Sequence, residues 1–162
     1  MQQALDVSAL PRVEGARVAI LRSKWYADMI DRMHARCVAV LEGTGVARVD
    51  THVLPGCLEM PFAASELVRR SGHGIDAIIC LGIVLKGDTM HFEMILDECS
   101  RGLGEVSRQS GVPVLNEVIP VTDIGQAESR TADDEFNKGI EAAAAAVEMI
   151  DWNRRQPSPD YS

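Results

Sequence analysis

The residues with the most evident capacity for chemistry lie in the stretch CLGIVLKGDTMHFEMILDE, Cys80 to Glu98. An apolar run ends at Lys86-Gly87-Asp88-Thr89, and His91 follows at once. Free backbone N–H groups at a helix start, joined by a threonine hydroxyl, make a cradle for an anion such as phosphate. A glycine turn with a Thr or Asp cap uses the same residues and needs no ligand. His91 falls within one turn of that cradle. An imidazole titrates near neutrality and can give or take a proton, although a histidine here can also be purely structural. Trp25 is one of two tryptophans and offers a plane on which a flat ligand can stack, or a patch for a subunit contact. Glu59, between Leu58 and Met60, either caps the next helix or holds ligand hydroxyls. Arg130 suits bidentate binding of phosphate, and Lys138 carries a second positive charge nearby. Both residue types also serve as solvated surface.

These residues need elements to position them. "RVAIL", 17–21, reads as a strand. Apolar residues at helical spacing predict a helix over 27–42, stopped by Gly43 and Gly45. Residues 46–54 alternate as a strand and end at Pro55-Gly56. Pro61 opens a helix to about residue 70, broken by the run 71–74. Residues 75–85 are nearly all apolar, as in a strand buried on both faces. A helix over 90–110 follows, then a strand over 112–121. Thr122 or Asp123 caps a helix reaching Arg130, and a last helix runs over 138–154 through "EAAAAAVEMI". Strand and helix alternate throughout. That pattern predicts a three-layer α/β/α sandwich, flavodoxin-like in outline, around a four-stranded parallel sheet. An arm over 1–14, one domain over 15–155 and a tail over 156–162 complete the organisation. In such sheets a ligand sits beyond the carboxyl ends of the strands. Trp25, the segment 54–61, the segment 85–93 and the approach to Arg130 all fall there.

Composition narrows the classes. The chain has 162 residues, 46% of them hydrophobic, enough for one well-formed core. Its net charge of -8 opposes general nucleic-acid or anionic-membrane binding. No run is long enough to span a bilayer, and the N-terminus lacks a signal-peptide layout. Cys37, Cys57, Cys80 and Cys99 are scattered, which predicts reduced thiols and a cytoplasmic protein. There is no G-x-x-x-x-G-K-[ST] and no G-x-G-x-x-G, and no His or Cys pair has metal spacing.

"PGCLEMP" at 55–61, "LGIVLKGDTMHFE" at 81–93, "GVPV" at 111–114, "QAESR" at 126–130 and "NKGIEAA" at 137–143 together resemble the lumazine synthase family. The resemblance covers roughly residues 16–150. It implies condensation of 5-amino-6-(ribitylamino)uracil with 3,4-dihydroxy-2-butanone 4-phosphate, giving 6,7-dimethyl-8-ribityllumazine, with no metal or cofactor. It implies that Trp25 stacks on the pyrimidine and that Cys57, Leu58 and Glu59 meet the ribityl chain. Ile83, Val84 and Leu85 would offer backbone groups to the pyrimidine edge. Gly87, Asp88 and Thr89 would form the phosphate cradle. His91 would carry protons, Asn116 would line the pocket, Arg130 would clamp the phosphate and Lys138 would stand beside it. Three positions depart from the family: Tyr26 where many members have Asn, Glu117 where Gly is usual, and Pro120 where Thr is usual. The resemblance further implies a homo-oligomer built from pentamers, with pockets between neighbours. The short connection over 131–137 favours a sixty-subunit shell. Asp133, Asp134 and Glu135 oppose it by like-charge repulsion, leaving a free pentamer or paired pentamers as alternatives. Two other functions fit a related pocket: an archaeal-type riboflavin synthase, and a lumazine or flavin carrier without turnover.

Overall fold

The computed structural model describes residues 3–72 and 74–158. Four strands, β1 (Arg17–Ser23), β2 (Arg48–Leu54), β3 (Ala77–Leu85) and β4 (Val114–Val121), form one parallel sheet in the order β2-β1-β3-β4. Helices α1 (Ala27–Gly43), α4 (Ile124–Thr131) and α5 (Lys138–Arg155) pack together on one face. Helices α2 (Met60–Ser71) and α3 (His91–Ser110) pack on the other. The three-layer α/β/α arrangement expected from the alternation is present.

The pattern of side chains explains the layering. β3 is buried on both faces over nearly its whole length, as a central parallel strand must be. Ile79, Leu81 and Ile83 join the core under α1 and α5, whereas Ile78, Cys80 and Val84 join the core under α2 and α3. The α1–α5 contact is especially close. A Cβ at Gly139 would lie 2.0 Å from the Met33 carbonyl oxygen, so the two helix backbones nearly touch there. Asn137 anchors this junction. Fully buried, it donates through Nδ2 to the carbonyls of Thr131 and Ala132 and accepts through Oδ1 from the Gly139 N–H.

Several boundaries differ from the sequence reading. β2 begins at Arg48 rather than 46, because the Val46 N–H still bonds back to Leu41 in the exit of α1. β3 and β4 begin two residues late, and side chains of Asp76 and of Ser107 and Ser110 help hold their entry segments beside the backbone bonds of Asp76 to Arg17 and Ile78 to Pro113. A 3-10 turn at Cys57–Glu59 precedes α2. Of the 71–74 break, Gly72 takes the left-handed conformation, and residue 73 lies outside the described residues. The arm packs inward at Val13, which is buried and donates to the Thr44 carbonyl. Residues 1–2 of the arm and 159–162 of the tail lie outside the described residues.

Pro120 fits the edge position of β4. The Val118 N–H bonds to its neighbour Asn116 Oδ1 rather than to β3, while the Val121 carbonyl accepts from Lys86. Even-numbered amides of β4 therefore face outward, and Pro120 removes no ladder donor.

Candidate active site

β1 and β3 are neighbours, and the chain leaves β1 into α1 on one face but β3 into α3 on the other, so a crevice opens at their carboxyl ends. A cavity of about 370 Å3 occupies that place. Trp25, Cys57, Leu58, Glu59, Ile83, Val84, Leu85 and His91 all line it. Ser23, Tyr26, Pro55, Gly56 and Ile95 complete the wall.

Each contribution has a local cause. Buried Ser23 ends β1, and its hydroxyl accepts from the Trp25 N–H at 3.1 Å, which turns the chain. Trp25 itself is 61% exposed and holds Lys24 Nζ 5.4 Å from its ring centre. Tyr26 follows with φ 57° and ψ 46°, left-handed for a non-glycine residue. That conformation lets two consecutive aromatic side chains share one cavity wall, which an extended backbone would send to opposite sides. Glu59 occupies the cap position of α2 but makes no capping hydrogen bond, so the capping alternative is discarded and its carboxylate stays exposed at the cavity.

Cys57 reaches down onto β3. A Cβ at Gly82 would lie 2.5 Å from its Sγ, so glycine mid-strand makes room for the thiol. The Cys99 thiol donates to the Cys57 carbonyl at 3.3 Å. Burial pushes the Cys57 thiol up to about 12, with Cys99 and Glu59 acting in the same direction. Such a group is a packing element and not a nucleophile.

Gly87, Asp88 and Thr89 are exposed between β3 and α3, next to the cavity but outside its wall. Met90 takes the cap position of α3 without a side-chain hydrogen bond, and Thr89 Oγ1 accepts from the His91 N–H only at a long 3.4 Å. The first turn of a twenty-residue helix thus keeps donors available beside His91.

Asn116, Arg130 and Lys138 do not line this cavity. Asn116 is exposed on the sheet edge. Arg130 lies in the last turn of α4 and donates to the Gln126 carbonyl at 3.1 Å. Lys138 opens α5 and pairs with Glu141 at 2.7 Å. Glu117, one of the three departures from the family, lies on the α5 face of β4. Burial raises its carboxyl to about 7, with Lys138 opposing the shift and Glu141 adding to it.

Comparison with known proteins agrees with this geometry. The profile of the 6,7-dimethyl-8-ribityllumazine synthase family matches residues 15–154. The enzyme of that name from Stenotrophomonas maltophilia (strain K279a) is 40% identical over 146 residues, covering 89% of this chain and 93% of the relative. That from Xanthomonas euvesicatoria pv. vesicatoria (strain 85-10) is 42% identical over 137 residues, covering 83% and 88%. The Xanthobacter autotrophicus enzyme (strain ATCC BAA-1158 / Py2) is 38% identical over 157 residues, covering 95% and 94%. A flavodoxin-like sheet with its cavity at the strand ends, matched in sequence over nearly its whole length, places the chain in the 6,7-dimethyl-8-ribityllumazine synthase family.

Proposed function

We infer that the protein condenses 5-amino-6-(ribitylamino)uracil with 3,4-dihydroxy-2-butanone 4-phosphate to form 6,7-dimethyl-8-ribityllumazine, a step of riboflavin biosynthesis. The observation that carries the assignment of roles is the cavity that joins Trp25, the 57–59 segment, the end of β3 and His91. Trp25 stacks on the pyrimidine, and Leu58 and Glu59 meet the ribityl chain beside Cys57. The backbone of Ile83, Val84 and Leu85 reads the pyrimidine edge. The ketose phosphate lies toward Gly87, Asp88 and Thr89 at the start of α3, where helix-terminal donors favour an anion.

The chemistry then follows in order. The pyrimidine amine attacks the ketose carbonyl, and loss of water gives an imine. Phosphate departs, and the second nitrogen closes the ring with loss of another water. His91 moves the protons. Holding both substrates in one cavity supplies much of the rate.

The cavity is incomplete in one chain, because Asn116, Arg130 and Lys138 stand apart from it. Supplied by a neighbour in a pentamer, they bring the phosphate-facing cations to the cavity of the adjacent subunit. A cyclic ring of identical head-to-tail contacts is an ordinary way to close such an interface. The short connection after α4 supports packing of pentamers into a sixty-subunit shell. Its acidic run is partly neutralised within the subunit, since Asp133 pairs with Arg36 at 2.7 Å. Four free buried cysteines support a reducing, cytoplasmic setting. Among the described residues no helix is long and apolar enough to cross a membrane.

An assay with both substrates, following the absorbance and fluorescence of the lumazine, tests this reading. His91→Ala is expected to lower kcat by roughly ten- to ten-thousand-fold. Arg130→Ala is expected to raise the ketose phosphate KM by at least about tenfold while leaving the pyrimidine KM within about twofold. Lumazine formation that neither change affects would overturn the assignment of roles.

A further inference from the structure

β4 presents its odd-numbered side chains to α1 and α5. Leu115, Ile119 and Val121 all join that apolar core. Glu117 is the exception, a carboxylate set in an apolar row. Among the described residues no hydrogen bond reaches its side chain. Across from it on α5 stand Lys138 and Glu141, and on α1 stands Cys37. Its register neighbour on β3 is the apolar Leu81. The arginines of α1 and α4 are committed elsewhere. Arg32 bonds to Thr131 and Glu128, Arg36 to Asp133, and Arg130 to the Gln126 carbonyl. The Cys37 thiol is held neutral by burial, which pushes it up to about 12, with Glu117 adding to the effect.

Among the described residues Lys138 is therefore the one cation flanked by this carboxylate pair. It is fixed in place on both sides: the preceding residue, Asn137, is pinned by three hydrogen bonds, and the following Gly139 is jammed against the Met33 backbone. Its side chain is 21% exposed and touches Glu141. With Glu117 neutral, the group of three carries no net charge. With Glu117 ionised, it carries one negative charge.

We propose that Glu117 is a positioning residue that sets how much positive charge Lys138 offers to the phosphorylated substrate, so that this substrate binds less well as Glu117 ionises. The inference rests on the reading above that Lys138 faces substrate in the neighbouring cavity. Partial burial among apolar side chains without a hydrogen-bond partner favours the neutral acid, and it pushes the carboxyl up to about 7. The change therefore falls within the working pH range. Binding of an anion then draws a proton onto Glu117, by linkage. The carboxylate touches neither substrate; it acts through the ammonium.

The test is the pH dependence of both KM values in the wild type, Glu117→Gln and Lys138→Met. In the wild type the ketose phosphate KM is expected to rise about three- to tenfold between roughly pH 6 and pH 8.5, beyond the substrate's own titration. Glu117→Gln mimics the neutral acid. It should match the wild type at about pH 6, stay flat above it and leave kcat and the pyrimidine KM unchanged. Glu117→Asp should restore the dependence, and Glu117→Gly, which removes the group, should give the same flat profile as Gln. If Lys138→Met raises the ketose phosphate KM but Glu117→Gln and Glu117→Gly keep the wild-type profile, the proposal is overturned while the site reading stands. If Lys138→Met moves neither KM, the site reading fails and the proposal with it.

Discussion

Cys57 lies against the cavity that we assign to the reaction, yet its chemistry is that of a core residue. Its thiol packs onto Gly82, and burial drives its ionisation to about 12. Cys37 is held at about 12 and Cys99 at about 11 by the same cause, and Cys80 is raised further still. At about pH 8 a thiol with that ionisation holds roughly a thousandfold less thiolate than a free one. The native protein should therefore react very slowly with a thiol-specific disulfide reagent, and all four cysteines should react after denaturation. A fast native phase worth one thiol would show that Cys57 is open to solvent and ionised. At this scale the sequence was informative where a residue type is uncommon in its neighbourhood. Trp25, Glu59 and His91 stood out and do meet in one cavity. Ser23 and Ile95 did not, because a serine ending a strand and an isoleucine on a helix carry no signal of their own. Tyr26 was visible only as an unusual neighbour of Trp25, since its left-handed backbone cannot be read from its side-chain type.

The elements themselves were legible because their periods differ. β3 is a continuous apolar run, α1 repeats its apolar residues at helical spacing, and Asp123 caps α4 by accepting from the Gln126 N–H. Strand starts were less legible. Val46 and Val112 are buried like strand residues, but their hydrogen bonds go to helix ends. The meeting of β4 with α5 was not legible at all. Glu117 and Lys138 are far apart in sequence, and only the packing of α5 beside β4 brings them together. The placing of the start of α5 depends in turn on its contact with α1 at Gly139. Gly139→Ala places a methyl group against the Met33 carbonyl in a junction of two backbones, where neither side can yield cheaply. The expected cost is at least about 1–3 kcal/mol, read as a lower denaturation midpoint. Because the junction also orients Lys138, the ketose phosphate KM should rise in the folded fraction. A variant as stable as the wild type would show that α1 and α5 can separate freely.

For the whole molecule, the decisive feature is that the residues assigned to one reaction lie in two separate places on the chain. His91 and Trp25 belong to the cavity at the ends of β1 and β3, while Arg130 and Lys138 lie at the ends of α4 and α5, outside that cavity wall. The account requires a second subunit to bring them together. His91→Ala and Arg130→Ala subunits, each poorly active alone, should be dissociated, mixed and reassembled, with mixed rings verified by mass. In a ring where each cavity takes His91 from one subunit and Arg130 from the next, some cavities recover both native residues, and on the order of a quarter of wild-type activity should return at equal mixing. Activity that stays at the level of the separate variants, in rings shown to be mixed, would contradict the account and place all of these residues in the site of a single subunit.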